Sequence, residues 1–126
     1  HLPVLIHTWN DRYCSPAMLT PVVPRYPNVK FILDHSGGGT PGRLEAEALA
    51  LQFPNVYLEF CGTFCSDRPW HLAIDKLGID RFLFGSDTDA HNQAYELAAF
   101  LSMPLPDNEL TPALSANTIR ILQDRR

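Results

Sequence analysis

Four side chains able to do chemistry each close an apolar run in this 126-residue chain. His7 follows PVLI, His35 follows KFILD, Glu59 follows NVYL, and Asp87 follows RFLFGS. Two imidazoles and a carboxylate brought together hold a divalent cation and move protons, so the set reads as a metal-dependent active site. His7, an imidazole at a strand end, is a candidate ligand for a borderline-soft divalent ion. Asp87 ends a hydrophobic strand, where a carboxylate needs a metal or another cation beside it. It is the candidate base, taking a proton from metal-bound water, and a candidate metal ligand. Its competing role is to cap the helix that follows. His35 either ligates the metal or hydrogen-bonds a substrate carbonyl or carboxylate. For Glu59, an ion pair with Arg81 or Arg43 competes with a direct catalytic role. Trp9, Tyr13, Phe60 and Phe64 are candidate walls of a pocket for an aromatic or otherwise unsaturated acid, with His91 at its mouth. Strand alternation predicts that Asp34 faces away from His35.

The intervals between the four residues run from 24 to 28. That period suits one strand, one crossover helix and the loops between them. Strands are predicted over 3–7, 29–34, 56–60 and 81–84 from their short apolar runs. A helix over 16–25 is interrupted by Pro21 and Pro24, with Ser15 as its cap. Further helices are predicted over 41–53, 69–77, 90–101 and 111–123. Thr40 and Pro41 mark the start of the second, and Leu44, Ala48, Leu49 and Leu51 give it an apolar face. Tyr95, Leu97, Ala98 and Leu101 are the packing candidates on the fourth, and Leu114, Ile119 and Leu122 on the last. Asn117 is a candidate to tie down the loop after the fourth strand. Strand and helix alternating four times imply an α/β fold with a parallel sheet, one domain over 1–126, and ligands at the strand C-terminal ends.

The loop Ser36-Gly37-Gly38-Gly39 leaves room for a ligand. It lacks the GK[ST] of a Walker loop and the GxGxxG of a dinucleotide site. A phosphate-binding α/β module is the alternative it allows, with anion affinity at Gly37–Gly39. Net charge is −4 with no run of like charge, which gives no nucleic-acid footprint. No apolar run approaches the ~20 residues of a membrane span. Cys14, Cys61 and Cys65 are an odd count without CxxC spacing, as in a reducing compartment such as the cytoplasm. The chain opens without methionine, so His1 is not expected to be the start of the gene.

PVLIH, YPNVKFILDHSGG, NVYLE, LGIDRFLFGSD and SANTIRIL together resemble the C-terminal half of an amidohydrolase-related metal-dependent hydrolase. The resemblance is to the branch that includes aminocarboxymuconate semialdehyde decarboxylase and the resorcylate-type decarboxylases. It implies the C-terminal half of a (βα)8 TIM-type barrel, strands five to eight, as four parallel βα units. It implies His7 and Asp87 as metal ligands, Asp87 and His35 as catalytic groups, and a divalent metal, zinc, as cofactor. Trp9, His35, Phe60 and His91 are the expected substrate contacts. The family's strand-one HxH pair has no counterpart in this chain, so a missing N-terminal half-barrel or a homodimer partner is expected. The expected activity is hydrolysis of a small ester, lactone or amide by metal-activated water. The alternatives are nonoxidative decarboxylation of a small unsaturated or aromatic acid, or an inert half-barrel.

Overall fold

The computed structural model describes residues 2–62 and 67–124 of the chain. The four apolar runs become four short strands: β1 (Val4–His7), β2 (Phe31–Asp34), β3 (Val56–Phe60) and β4 (Phe82–Phe84). All pair in parallel, in the order β1-β2-β3-β4, with His7 opposite Asp34 and Glu59 opposite Leu83. The helices are α1 (Thr40–Gln52), α2 (Asp67–Leu77), α3 (Gln93–Leu101), α4 (Asp107–Thr111) and α5 (Asn117–Gln123). The fold is α/β: a four-stranded parallel sheet with the connectivity of half a TIM-type barrel. β1 and β4 lie at the two ends of the sheet.

Strand alternation sorts the apolar residues onto two faces. Phe31, Leu33, Val56, Leu58, Phe60 and Phe82 turn toward the helices and pack with Ala46, Leu49 and Ala50 of α1, Ala73 and Ile74 of α2, and Phe100 of α3. Ile32, Tyr57 and Leu83 turn the other way and meet Ile121 of α5. The last helix is held there by Asn117, which is buried. Its Nδ2 donates to the carbonyls of Ile79 (2.9 Å) and Phe82 (2.8 Å). Lys30 and Asp124 pair at 3.2 Å and fasten the chain end below β2. Asn117 therefore secures the segment entering β4, and not the loop leaving it, as the sequence suggested.

Other local expectations change for identifiable reasons. Residues 16–25 form two 3-10 turns, Pro16–Leu19 and Val23–Arg25, because each proline removes a helical donor. Ser15 caps the first by accepting from the Ala17 amide. On α1 the buried stripe is Gly42, Arg43, Ala46, Glu47, Leu49 and Ala50, while Leu44 and Leu51 face outward. The stripe tolerates charge because Arg43 and Lys76 both pair with Glu47. On α3, Glu96 and Phe100 are buried and Tyr95 and Leu101 exposed. Between α4 and α5 a π-helical turn at Pro112–Ala116 widens the coil, and Leu110, Ala113, Asn117 and Ile121 form the inward stripe. Ile119 and Leu122 are exposed. Among the described residues no helix is long and apolar enough to cross a membrane.

Candidate active site

The C-terminal ends of the strands are stitched together by small polar side chains. Thr8 Oγ1 donates to the Asp34 carbonyl (2.6 Å) and accepts from the Gly37 amide (2.8 Å). Ser36 Oγ donates to the Glu59 carbonyl (2.8 Å). Between these anchors the chain turns in the left-handed region at four successive residues: His35 (φ 57°), Ser36 (46°), Gly37 (84°) and Gly38 (65°). Asp87 is also left-handed, at φ 47°. Such angles cost a residue with a Cβ about 1–3 kcal/mol and persist where surrounding structure imposes them. Among the described residues three non-glycines carry this strain, and two of them, His35 and Asp87, are site candidates from the sequence.

That turn overrides the alternation expected of Asp34. β2 ends at Asp34, and the positive φ of His35 swings the imidazole back to the side of the preceding carboxylate. Asp34 Oδ2 lies 3.3 Å from His35 Nε2 and 3.6 Å from His7 Nδ1. The prediction that Asp34 points away is thus corrected. The donor atoms of His7, Asp34 and His35 all fall within 4.8 Å of one another. Two imidazole nitrogens and a carboxylate oxygen at that spacing fit a divalent cation. His35 is buried, whereas the His7 side chain is 58% exposed on the edge strand.

A cavity of about 330 Å³ opens over this group, lined by His7, Trp9, Asp11, His35, Gly62, Asp87 and His91. Its size is that of a small-ligand site. Trp9 lies nearly parallel to His7 (7°, centroids 6.4 Å) and edge-on to His35 (5.5 Å). Its indole covers Gly38, where an added Cβ would come within 2.7 Å of the ring. Asp87 shares the cavity, and its Oδ2 lies 3.6 Å from His91 Nε2. The helix cap that sequence allowed for Asp87 belongs to Asn92, whose Oδ1 accepts from Ala94 and Tyr95.

Phe60 is not a wall of this cavity. Its ring packs on Trp70, Phe82 and Phe100 in the helix-side core. Strand parity puts it there: Glu59, one residue earlier, takes the opposite face. Tyr13 is exposed and lines a neighbouring cavity of about 230 Å³ with Met18 and Leu19. Phe64 and Cys65 lie outside the described residues. The glycine loop is also committed, since the Gly37 amide bonds Thr8 and the Gly38 amide bonds the His35 carbonyl. A phosphate cradle would need those donors free.

Glu59 and Cys61 stand behind the histidines, a grouping the sequence reading did not make. Neither Arg81 nor Arg43 reaches Glu59: Arg81 donates to the carbonyls of Ala50, Phe53 and Val56, and Arg43 pairs with Glu47. Burial, with the Asp34 charge adding to it, pushes the Glu59 carboxyl up to about 8. Burial acts to raise Asp34 as well. Hydrogen bonds from Cys61 and Glu59 and the charges of His35 and His7 outweigh it and hold Asp34 below its ordinary value. Burial pushes the Cys61 thiol up, so Cys61 acts as a donor to Asp34 Oδ1 (2.9 Å) and not as a nucleophile. The signal missed in the sequence is the Asp-His pair at a strand end followed by glycines.

An amidohydrolase family model matches residues 1–123. The chain belongs to the amidohydrolase family. This corrects the reading that confined the resemblance to a C-terminal half, because the match runs over nearly the whole chain. No curated protein matches it. Three solved decarboxylases share the amidohydrolase chain's fold. A 5-carboxyvanillate decarboxylase from Sphingomonas paucimobilis has a TM-score of 0.64 and 19% identity, over 84% of this chain and 37% of its own. A 2,6-dihydroxybenzoate decarboxylase from Rhizobium gives 0.63 and 20%, over 80% and 36%. A dihydroxybenzoic acid decarboxylase from Polaromonas sp. JS666, solved with manganese and 2-nitroresorcinol, gives 0.69 and 16%, over 98% and 50%. This amidohydrolase chain thus spans half or less of the length of the solved structures it matches.

Proposed function

We propose that the chain carries the metal-holding side of a nonoxidative decarboxylase for a small aromatic or unsaturated carboxylic acid. The observation that carries this reading is the cavity of about 330 Å³ with Trp9 at its wall and the His7–Asp34–His35 donor group at its base. The solved relatives support decarboxylation over the hydrolysis that the sequence favoured, for which the comparisons offer nothing specific.

His7 and Asp87 would hold a divalent ion, with Asp34 and His35 alongside. Zinc suits the mixed nitrogen and oxygen donors. Bound there, the ion supplies positive charge that fixes and polarises an anionic substrate. Trp9 offers a flat apolar face to a planar ring. His35 donates to the substrate carboxylate and orients it. Asp87 delivers a proton to the carbon that bears the carboxylate. The bond from that carbon to the carboxyl group then breaks, its electron pair returns to the ring, and carbon dioxide leaves. No oxidant is needed, and Asp87 is reprotonated from solvent. His91, beside Asp87 at the cavity mouth, contacts the far side of the substrate. Residues 1–126 act as one domain whose sheet is completed by further strands, from a missing half-barrel or a second copy.

The test is a panel of hydroxybenzoates and unsaturated acids against a panel of esters and lactones, with zinc- and manganese-loaded protein. Carbon dioxide release that Asp87→Asn lowers by 10²-fold or more supports the reading. Ester or lactone cleavage without carbon dioxide release from any acid would refute it.

A further inference from the structure

Asp11 lines the cavity beside Trp9, and the proposed chemistry gives it no part. We propose that Asp11 sets substrate choice: its Oδ2 accepts a hydrogen bond from a hydroxyl or amino group on the ring and turns away rings that carry a second carboxylate. This role rests on the reading of the cavity as an acid-binding site and narrows the acids it takes.

The loop after β1 fixes this carboxylate next to the face that would carry the ring. The chain folds back between Trp9 and Cys14: the Trp9 amide bonds the Cys14 carbonyl (3.0 Å), and the Asp11 amide bonds the Trp9 carbonyl (2.9 Å). The indole and the carboxylate therefore belong to one turn. Asp11 Oδ1 accepts from the amides of Tyr13 (2.6 Å) and Cys14 (3.1 Å). An aspartate bonded to the backbone two residues on closes a turn and loses its own freedom to rotate. Among the described residues Oδ2 meets one donor, Cys14 Sγ at 3.5 Å. A thiol is a weak donor, so this oxygen keeps its capacity to accept. Arg12, the neighbouring cation, lies over the Tyr13 ring, 4.5 Å from its centroid, and forms no ion pair with Asp11.

A preset acceptor discriminates by what meets it. The two backbone amides hold the Asp11 carboxyl below its ordinary value, so near neutral pH it accepts and does not donate. A hydroxyl or amino hydrogen completes the bond as a charge-assisted one. A methoxy group brings no hydrogen, and a second carboxylate brings like charge to a cavity that already holds Asp11 and Asp87. Asp11 is open to solvent, which screens the contrast to about tenfold in affinity and keeps it short of the larger ratios of sealed polar pockets.

The experiment is isothermal titration calorimetry of the zinc-loaded full chain with benzoate, the monohydroxybenzoates, their methoxy counterparts and isophthalate. The expected result is that at least one hydroxybenzoate binds about tenfold tighter than its methoxy counterpart. Asp11→Asn keeps an acceptor for the two amides, so the turn survives, and puts an amide donor in place of Oδ2. It should erase the hydroxyl preference and bind isophthalate about tenfold tighter than the parent does. Loss of a mere structural brace would weaken every ligand together and could not move two of them in opposite directions. A parent without the hydroxyl preference, or a preference that Asp11→Asn leaves unchanged, overturns the proposal. Carbon dioxide release, followed on the same acids, separates the two readings. The preference without release refutes decarboxylation alone, release without the preference refutes the role of Asp11 alone, and failure of every acid to bind refutes both.

Discussion

Gly42 sits in the first turn of α1, where alanine would ordinarily stabilise the helix by about 0.5–1 kcal/mol. Here the sign should reverse. A Cβ on Gly42 would overlap the Gly37 carbonyl oxygen and stand 2.9 Å from its carbon, against the 3.4 Å at which ordinary contact begins. The obstacle is backbone and has no rotamer into which to retreat. Overpacking of this kind costs about 1–3 kcal/mol. Moving Gly37 also strains its 2.8 Å bond to Thr8, worth about 1 kcal/mol. Net destabilisation by Gly42→Ala should be about 1–3 kcal/mol, read as a lower urea midpoint at unchanged slope. The displaced loop carries His35, and a misplacement near 1 Å costs on the order of 10²-fold in rate. Gly78 is the control: it has φ 78° and no atom within 4 Å of an added Cβ. Gly78→Ala should cost about 1–3 kcal/mol through backbone strain alone, since φ 78° with ψ 146° suits glycine, and should leave activity intact. A Gly42→Ala protein as stable as the parent would refute the account of how the His35 loop is seated.

Asn117→Ala takes the Nδ2 donor from the buried Phe82 carbonyl and from that of Ile79, which keeps the Phe82 amide, and should cost about 1–3 kcal/mol by urea unfolding, while Asn117→Asp should do no better because it too removes the Nδ2 donor. Phe60→Ala should lose about 3–5 kcal/mol of stability with KM unchanged at a temperature where the variant is folded, whereas Trp9→Ala should raise KM about tenfold. The opposite pattern would return Phe60 to the pocket. In chelator-treated protein, the folded state holds a proton on Glu59 that the unfolded chain gives up above its ordinary value of 4.5. That share of stability is complete at acid pH and is lost as pH rises through about 8. Glu59→Gln should therefore flatten the stability profile between about pH 5 and 8, and an unchanged slope would show that another group sets it.

The strands and their order of appearance were legible because each is a short apolar run closed by a polar residue. The placement of His7, His35 and Asp87 around one cavity follows from parallel connectivity alone. What was hidden depends on backbone dihedrals and on tertiary burial. Nothing in LDHSGGG announces that His35 and Ser36, neither of them glycine, turn left-handed, and on that turn hangs the approach of Asp34 to both histidines. The position of Phe60 follows its parity with Leu58, which shares its face, and not its aromatic character. The helix faces depart from the apolar pattern because buried charge and amide groups find partners inside while several leucines lie outside. The actual stripes bury Glu47, Glu96 and Asn117 with partners, and leave Leu44, Leu101 and Leu122 outside.

His7 belongs to β1, the strand at one end of the sheet, with its backbone paired on one side only. As the proposed ligand on a half-paired strand, His7 is ordered in proportion to whatever completes the pairing. Anything that adds a strand beside β1 therefore raises cation affinity, and the cation in return strengthens that docking by the same factor. Assembly and metal loading become one equilibrium. On the proposed function, activity would then follow the strand that completes the sheet as much as metal supply, and would follow protomer concentration where that strand comes from a second copy.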